Sequence, residues 1–315
     1  MFDPIDNCIQ DLLGERDAVM LGQGPDIDAF LSYYTVPLFL FHGDAPEPAK
    51  FAGSSTGVLL KLGNRGFILT AGHCVRDAAG KTIMVGVAKQ AHRFRSRLDA
   101  AAFVYEGGSK DYGYFEIPAV EWATYDAHAK MFMAPSRIEV LSPAEFGTID
   151  DWFVLSGYPG AAMRVVDEVD EVGHGFSQIH VSTTPAGLGV APASTLAQPG
   201  SDVVTVDLWI PEAGNLNTTS GRFEEISVPV LAGASGGGCW RGHVRPDPEG
   251  WTPSRFRLVG IHIGSTQIGE AEINGEKHRF SREVWIGHHL ALIARNYPDL
   301  ERTIYETWPI LAPAG

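Results

Sequence analysis

Three short stretches carry residues that could do chemistry together. Ile68-Leu69-Thr70-Ala71-Gly72-His73-Cys74-Val75 is an apolar strand pattern ending in a histidine. Asp111-Tyr112-Gly113-Tyr114-Phe115-Glu116-Ile117 opens a second strand pattern with an aspartate, and Gly233-Ala234-Ser235-Gly236-Gly237-Gly238 sets a serine in a glycine turn. A serine hydroxyl is a weak nucleophile and needs a base that titrates near neutrality, which histidine supplies. The histidine in turn needs an acceptor on its other ring nitrogen, which fixes the tautomer and stabilises the imidazolium; a carboxylate does both. Glycines around the serine let backbone N–H groups converge on one point. Such an oxyanion hole is worth about 3 kcal/mol per donor. The expectation is therefore Ser235 as nucleophile, His73 as base, Asp111 as orienting group, and the N–H groups of Gly233 and Ser235 as the oxyanion hole.

Taken singly, each residue has a plainer reading. His73 could be a buried core histidine, Asp111 a turn cap, and Ser235 a loop residue. None of these readings predicts the other two motifs.

The elements that must position the three are short strands. Val36–Phe41, Gly57–Leu62, Gly66–Thr70, Thr82–Ala88, Ala100–Tyr105 and Tyr112–Ile117 are mostly β-branched or aromatic and bounded by turn residues. Pro37 lowers the first of them to an edge strand. After a helix-leaning linker at Val120–Met133 comes a second series: Glu139–Leu141, Trp152–Ser156, Gln178–Ser182, Val203–Ile210, Gly238–Trp240 and Arg257–Ile263. Pro185–Ser201, rich in Gly, Ala and Pro, reads as a long surface loop. Val284–Asn296 reads as a closing helix and the tail beyond Pro298 as extended. Residues 1–33 read as two short helices. Four segments follow: 1–35, N-terminal and helical; 36–120, a first β unit; 121–283, linker and second β unit; 284–315, helix and tail.

With these elements in place, the chain resembles the trypsin/chymotrypsin-fold serine peptidases, over roughly residues 36–297. The order His, Asp, Ser is that of the family. The resemblance implies an all-β fold of two six-stranded antiparallel barrels with a C-terminal helix, and a serine endopeptidase that acts on a protein or peptide through an acyl-enzyme. The interval between Asp111 and Ser235 leaves room for an insertion, placed at Pro185–Asn217. Members activated from precursors carry Asp before the nucleophilic serine; Ala234 stands here, so that switch is missing. Control by residues 1–35, by the tail or by a regulatory protein partner stays open. Cys74 has no cysteine near Gly57 to pair with, which is similar to bacterial, disulfide-free members.

The strand after the serine turn lines the primary pocket in this family. Gly260-Ile261-His262-Ile263-Gly264 and Ser156-Gly157-Tyr158-Pro159-Gly160 resemble glutamyl endopeptidases, and the former also resembles the picornaviral cysteine proteases of the fold. The resemblance implies a pocket of His262, Ile263, Gly264 and Val230, with His262 binding Glu or Gln. Val230 stands where those enzymes have Thr or Ser, so a second polar contact is missing. The plainer reading of His262 is a core histidine. The alternative to an enzyme is a catalytically silent peptide-binding or scaffolding module of the same fold.

Composition bounds the rest. Gly 36 and Pro 20 in 315 residues exceed ordinary usage and fit many tight turns. A net charge of −14 repels phosphate and argues against nucleic acid and anionic membranes as partners. Three cysteines, Cys8, Cys74 and Cys239, form no CxxC pair, and His174, His180 and His288-His289 have no metal-ligand spacing. No cofactor or metal is expected. The acidic start, Met1-Phe2-Asp3, is unlike a secretory leader, so the expectation is a cytoplasmic protein without a membrane span.

Overall fold

A computed structural model describes residues 30–43, 50–86, 94–97, 103–106, 110–126, 130–141, 151–158, 163–169, 175–181, 186–192, 205–210, 215–217, 222–224, 233–243, 256–264, 270–273 and 276–313. The chain is mostly β-sheet with a few helices. The first sheet has seven strands: β1 (Thr35–His42), β2 (Phe51–Leu62), β3 (Arg65–Ala71), β4 (Lys81–Gly86), β5 (Phe94–Arg97), β6 (Phe103–Glu106) and β7 (Tyr112–Ile117). Their order is β5-β4-β1-β2-β3-β7-β6. A short helix, α1 (Gly72–Asp77), follows β3, and α2 (Trp122–Asp126) follows β7.

The second seven-stranded sheet has the order β12-β11-β8-β15-β16-β18-β17. Its strands are β8 (Asp151–Gly157), β11 (Ala186–Pro192), β12 (Thr205–Ile210), β15 (Gly238–His243), β16 (Arg257–Gly264), β17 (Glu270–Ile273) and β18 (Glu276–Trp285). β12 also pairs with β18, so the ladder returns to its first strand. Two hairpins stand apart: β9 (Met163–Val169) with β10 (Gly175–Val181), and β13 (Asn215–Asn217) with β14 (Arg222–Glu224). Helices α3 (Ile286–Asn296) and α4 (Pro298–Thr307) close the chain.

Several expectations are corrected. Each sheet has seven strands rather than six. Pro37 does not put β1 on an edge, because β1 lies between β2 and β4. Its pairing with β4 begins at Leu38, so no ladder bond on that side needs the missing proline N–H. Pro185–Ser201 is not all loop. β11 lies inside it and pairs with β8 over Ala186–Val190 and with β12 at Ala191 and Pro192, which removes the insertion expected at Pro185–Asn217 as something outside the sheet. Gly and Ala disguised this strand, since its pairing is a matter of backbone. Glu139–Leu141 is not a strand; Ile138 makes one isolated bridge to Leu258. Val284 and Trp285 end β18 instead of starting the helix. The tail is helical over α4, with Pro298 in the first turn, where no N–H is needed, and Asp299 and Glu301 at the positive end of the helix dipole. Leu300 and Ile304, one turn apart, are its buried face. Residues 30–34 are helical, whereas most of the expected N-terminal helices lie outside the described residues.

The main core runs through both sheets. Val58, Leu60 and Leu69 of the first, Val154, Trp240, Leu258 and Ile261 of the second, and Leu290 and Ile293 of α3 are buried in one cluster. A second core, with Ile68, Val85 and Phe115, fills the other side of the first sheet. Polar bonds fasten the seam. Trp240 Nε1 donates to Ser156 Oγ at 2.9 Å, and Ser156 Oγ lies 3.2 Å from Thr35 Oγ1. Buried Lys130 donates to the carbonyls of Ser32 and Thr35 at 2.5 and 2.7 Å. Among the described residues, no helix is long and apolar enough to cross a membrane.

Candidate functional site

His73 is not the end of β3 but the second residue of α1. Its backbone N–H would be unsatisfied in so short a helix. Asp111, immediately before β7, answers it: Oδ1 accepts from the His73 N–H at 2.6 Å, while Oδ2 lies 2.7 Å from Nδ1. One carboxylate thus fixes both the backbone and the ring of the same residue. With Nδ1 bonded to Asp111, a neutral imidazole keeps its lone pair on Nε2. Gly72 is what lets the segments approach, because a Cβ there would lie 2.9 Å from the Glu106 carbonyl oxygen and 3.0 Å from Asp111 Oδ1. His73 and Asp111 retain 28 % and 27 % side-chain exposure, so the pair faces solvent. The bond to Asp111, reinforced by Cys74 beside it, holds the His73 imidazolium up to about 10.

Ser235 sits at the second position of a tight turn. The Gly237 N–H donates to the Ala234 carbonyl at 2.9 Å, and Gly236, the third residue, has φ +91°. Only glycine adopts that conformation freely. A side chain there would also overlap the Thr56 carbonyl and Thr70 Oγ1. The turn is therefore pressed onto β2 and β3, the strands that lead to His73. Thr56 does most of the fastening: its N–H donates to the Ser235 carbonyl at 2.8 Å, and its hydroxyl donates to the Gly233 carbonyl at 2.9 Å. The Tyr158 N–H donates to the same hydroxyl oxygen at 2.9 Å. Cys74 Sγ donates to the Ser235 carbonyl at 3.6 Å, which ties the turn to the neighbour of His73. Behind them, His289 of α3 is fully buried and bonds the Thr70 carbonyl through Nε2 at 2.9 Å. Burial pulls its imidazolium down to about 4.

The structure thus brings His73, Asp111 and the Ser235 turn into one site built by both sheets. Among the described residues, the Ser235 hydroxyl makes no hydrogen bond to His73. Gly233, with φ +94°, belongs to the same turn. The chain is similar in structure to serine proteases. A thermostable serine protease, AL20, from an extremophilic microorganism is 12 % identical, with 80 % of this chain and 91 % of that one covered and a TM-score of 0.40. The protease Anisep from Arthrobacter nicotinovorans is 10 % identical, with 80 % and 90 % covered and a TM-score of 0.40. No family model and no curated protein matches the chain.

The residues expected in the pocket divide. His262 lies on β16 and is joined to the turn on both backbone sides, accepting from the Gly236 N–H at 2.7 Å and donating to the Gly237 carbonyl at 2.8 Å. Its side chain is buried against Glu283. Ile263 and Gly264 follow it and are half-buried. Val230 lies outside the described residues. Tyr158 is buried, and its hydroxyl, pushed well above its ordinary range by burial, donates to the Thr35 carbonyl at 3.4 Å. Cys74 and Cys239 are both free thiols. Sequence reasoning missed Thr56 and Glu283. Their signals were faint: a polar run, Ser54-Ser55-Thr56, opening an apolar strand, and one acid directly before Val284-Trp285-Ile286.

Proposed function

We propose that the chain is a serine endopeptidase. The observation that carries this reading is the double hold of Asp111 on His73 beside a glycine turn that presents Ser235. His73 Nε2 takes the Ser235 proton as Oγ attacks the carbonyl carbon of a peptide. The oxygen of the tetrahedral intermediate is then held by the N–H groups of Gly233 and Ser235. His73 returns the proton to the leaving amine, and water repeats the sequence on the acyl-enzyme. Asp111 stays ionised throughout, orienting the ring and stabilising its charged form. The two sheets act as the two barrels of a trypsin-like fold, with 36–120 and 121–283 as its halves. His262, Ile263, Gly264 and Val230 form the pocket wall that reads Glu or Gln before the cut.

Peptide-library digestion tests this. Cleavage by the intact chain and none by Ser235→Ala is the expected result; equal profiles from the two proteins refute it. A second reading, a catalytically silent peptide-binding module, is favoured by the open Ser235–His73 hydrogen bond. That bond is commonly long before substrate binds. Peptide binding without cleavage, unaltered in Ser235→Ala, is the outcome that selects the second reading.

A further inference from the structure

A chain of polar contacts runs from the seam where the helix at residues 30–34 enters β1 to the nucleophile turn, and the reaction above leaves its far end unused. That end is Lys130, only 5 % exposed. Backbone bonds place it: the Lys130 N–H donates to the Tyr125 carbonyl at 3.0 Å, and the Met131 N–H to the Tyr33 carbonyl at 2.7 Å. Lys130 Nζ donates to the Ser32 and Thr35 carbonyls at 2.5 and 2.7 Å and to the Tyr158 hydroxyl oxygen at 3.3 Å. The Tyr158 hydroxyl donates in turn to the Thr35 carbonyl at 3.4 Å. One lysine thus joins the chain entering β1 to the residue that follows β8.

Tyr158 meets the turn through its backbone. Its N–H donates to Thr56 Oγ1 at 2.9 Å, and an N–H can only donate. The single hydroxyl proton is therefore left for the Gly233 carbonyl, also 2.9 Å away. That carbonyl belongs to the peptide unit between the units that carry the Gly233 and Ser235 N–H groups. Holding it fixes how the two donors converge. Gly157, next to Tyr158, lies against the same turn: a Cβ there would stand 2.8 Å from Ala234 Cβ and 3.1 Å from the Ala234 carbonyl oxygen. Contacts this close leave little room for Tyr158 to shift without moving Ala234.

We propose that Lys130 is a positioning residue for peptide cleavage, setting the aim of the oxyanion donors through Tyr158 and Thr56. The inference rests on the endopeptidase reading and adds to it a residue outside the site. A plainer role for Lys130 is to satisfy the last carbonyls of the 30–34 helix. That role requires Ser32 and Thr35 but not Tyr158, and it acts on stability without coupling to Thr56.

The test is a double-variant cycle on a peptide that library digestion shows to be cleaved. It measures kcat and KM for the intact chain, Lys130→Met, Thr56→Val and the two combined. We expect kcat to fall about tenfold in Lys130→Met with KM changed by less than about twofold, because a misaimed donor costs the transition state more than the bound peptide. The combined variant should lie within about threefold of Thr56→Val alone, since Lys130 acts through that hydroxyl. Losses that multiply, a loss carried by KM alone, or a Lys130→Met kcat within about twofold of the parent overturn the inference and leave the endopeptidase reading in place. If Lys130→Met does not fold, Tyr158→Phe takes its place in the cycle and is read by the same outcomes. It removes the hydroxyl that Nζ holds and keeps the N–H on Thr56. Cleavage of no peptide by the intact chain, together with no fluorophosphonate adduct on Ser235, overturns both.

Discussion

His73 and Asp111 meet at 2.7 Å with 28 % and 27 % of their side chains exposed, whereas His262 and Glu283 meet at 3.0 Å with 2 % and 1 %. The chemistry of the two pairs is nearly the same and their surroundings are not. At the open pair water can solvate either charge, so the proton on His73 can come and go, as a base requires. At the closed pair almost no side-chain surface is left to water, so removing either partner leaves a polar group buried. Burial, more than residue identity, separates the two pairs.

The comparison can be broken at each pair separately. Asp111→Asn should lower kcat by ~10⁴-fold through the wrong histidine tautomer. The stability it loses should be largest below about pH 6.5 and vanish as pH rises through about 10, because the bond that holds the His73 imidazolium is gone. Steady-state kinetics and urea denaturation of one preparation check both. Glu283→Ala should act chiefly on folding, losing about 1–3 kcal/mol because the His262 ring is left buried without its partner. Replacing both His262 and Glu283 with apolar residues of similar volume should recover most of that loss. A variant of Asp111 that unfolds, or one of Glu283 that is as stable as the parent, would erase the distinction.

Smaller effects sharpen it. Thr56 touches the nucleophile turn but neither pair, and Thr56→Val removes the hydroxyl bonded to the Gly233 carbonyl. A fall of roughly tenfold to a hundredfold in kcat with KM unmoved is expected, restored by Thr56→Ser, since the turn loses its fixed orientation. The smallest effect is in pH. His73 must be neutral to act as a base, and its raised value means that kcat/KM keeps climbing well above 6.5, toward about 10. Asp111→Asn should move that limb down, because the bond to Asp111 is the largest cause of the shift. The same bond stabilises the fold fully below about 6.5, and its contribution fades as pH rises through about 10. His289 acts oppositely: stability falls as pH drops from about 6.5 toward 4, since its buried ring resists the proton that the unfolded chain accepts.

Much of this arrangement was legible in the residues. The strand patterns Gly66–Thr70 and Tyr112–Ile117 were readable, and the structure pairs them as β3 and β7, which sets Asp111 against His73. The glycines around Ser235 announced a turn. What escaped was whatever depends on a distant partner. β11 owes its place to pairing with β8, and no local property of its Gly-Ala-Pro sequence signals that. Pro37 looked like an edge residue because a sequence does not say where a neighbouring strand stops. Glu283 drew no reading from the sequence, because only the ladder sets it opposite His262.

The central claim is that Ser235 is a nucleophile activated by His73 and Asp111. Its most direct test is intact-protein mass spectrometry after exposure to a fluorophosphonate. A single adduct on Ser235, missing in Ser235→Ala and formed far more slowly in Asp111→Asn, is the predicted result. An unlabelled Ser235 at neutral and alkaline pH, or equal labelling of the Ser235→Ala protein, would contradict it.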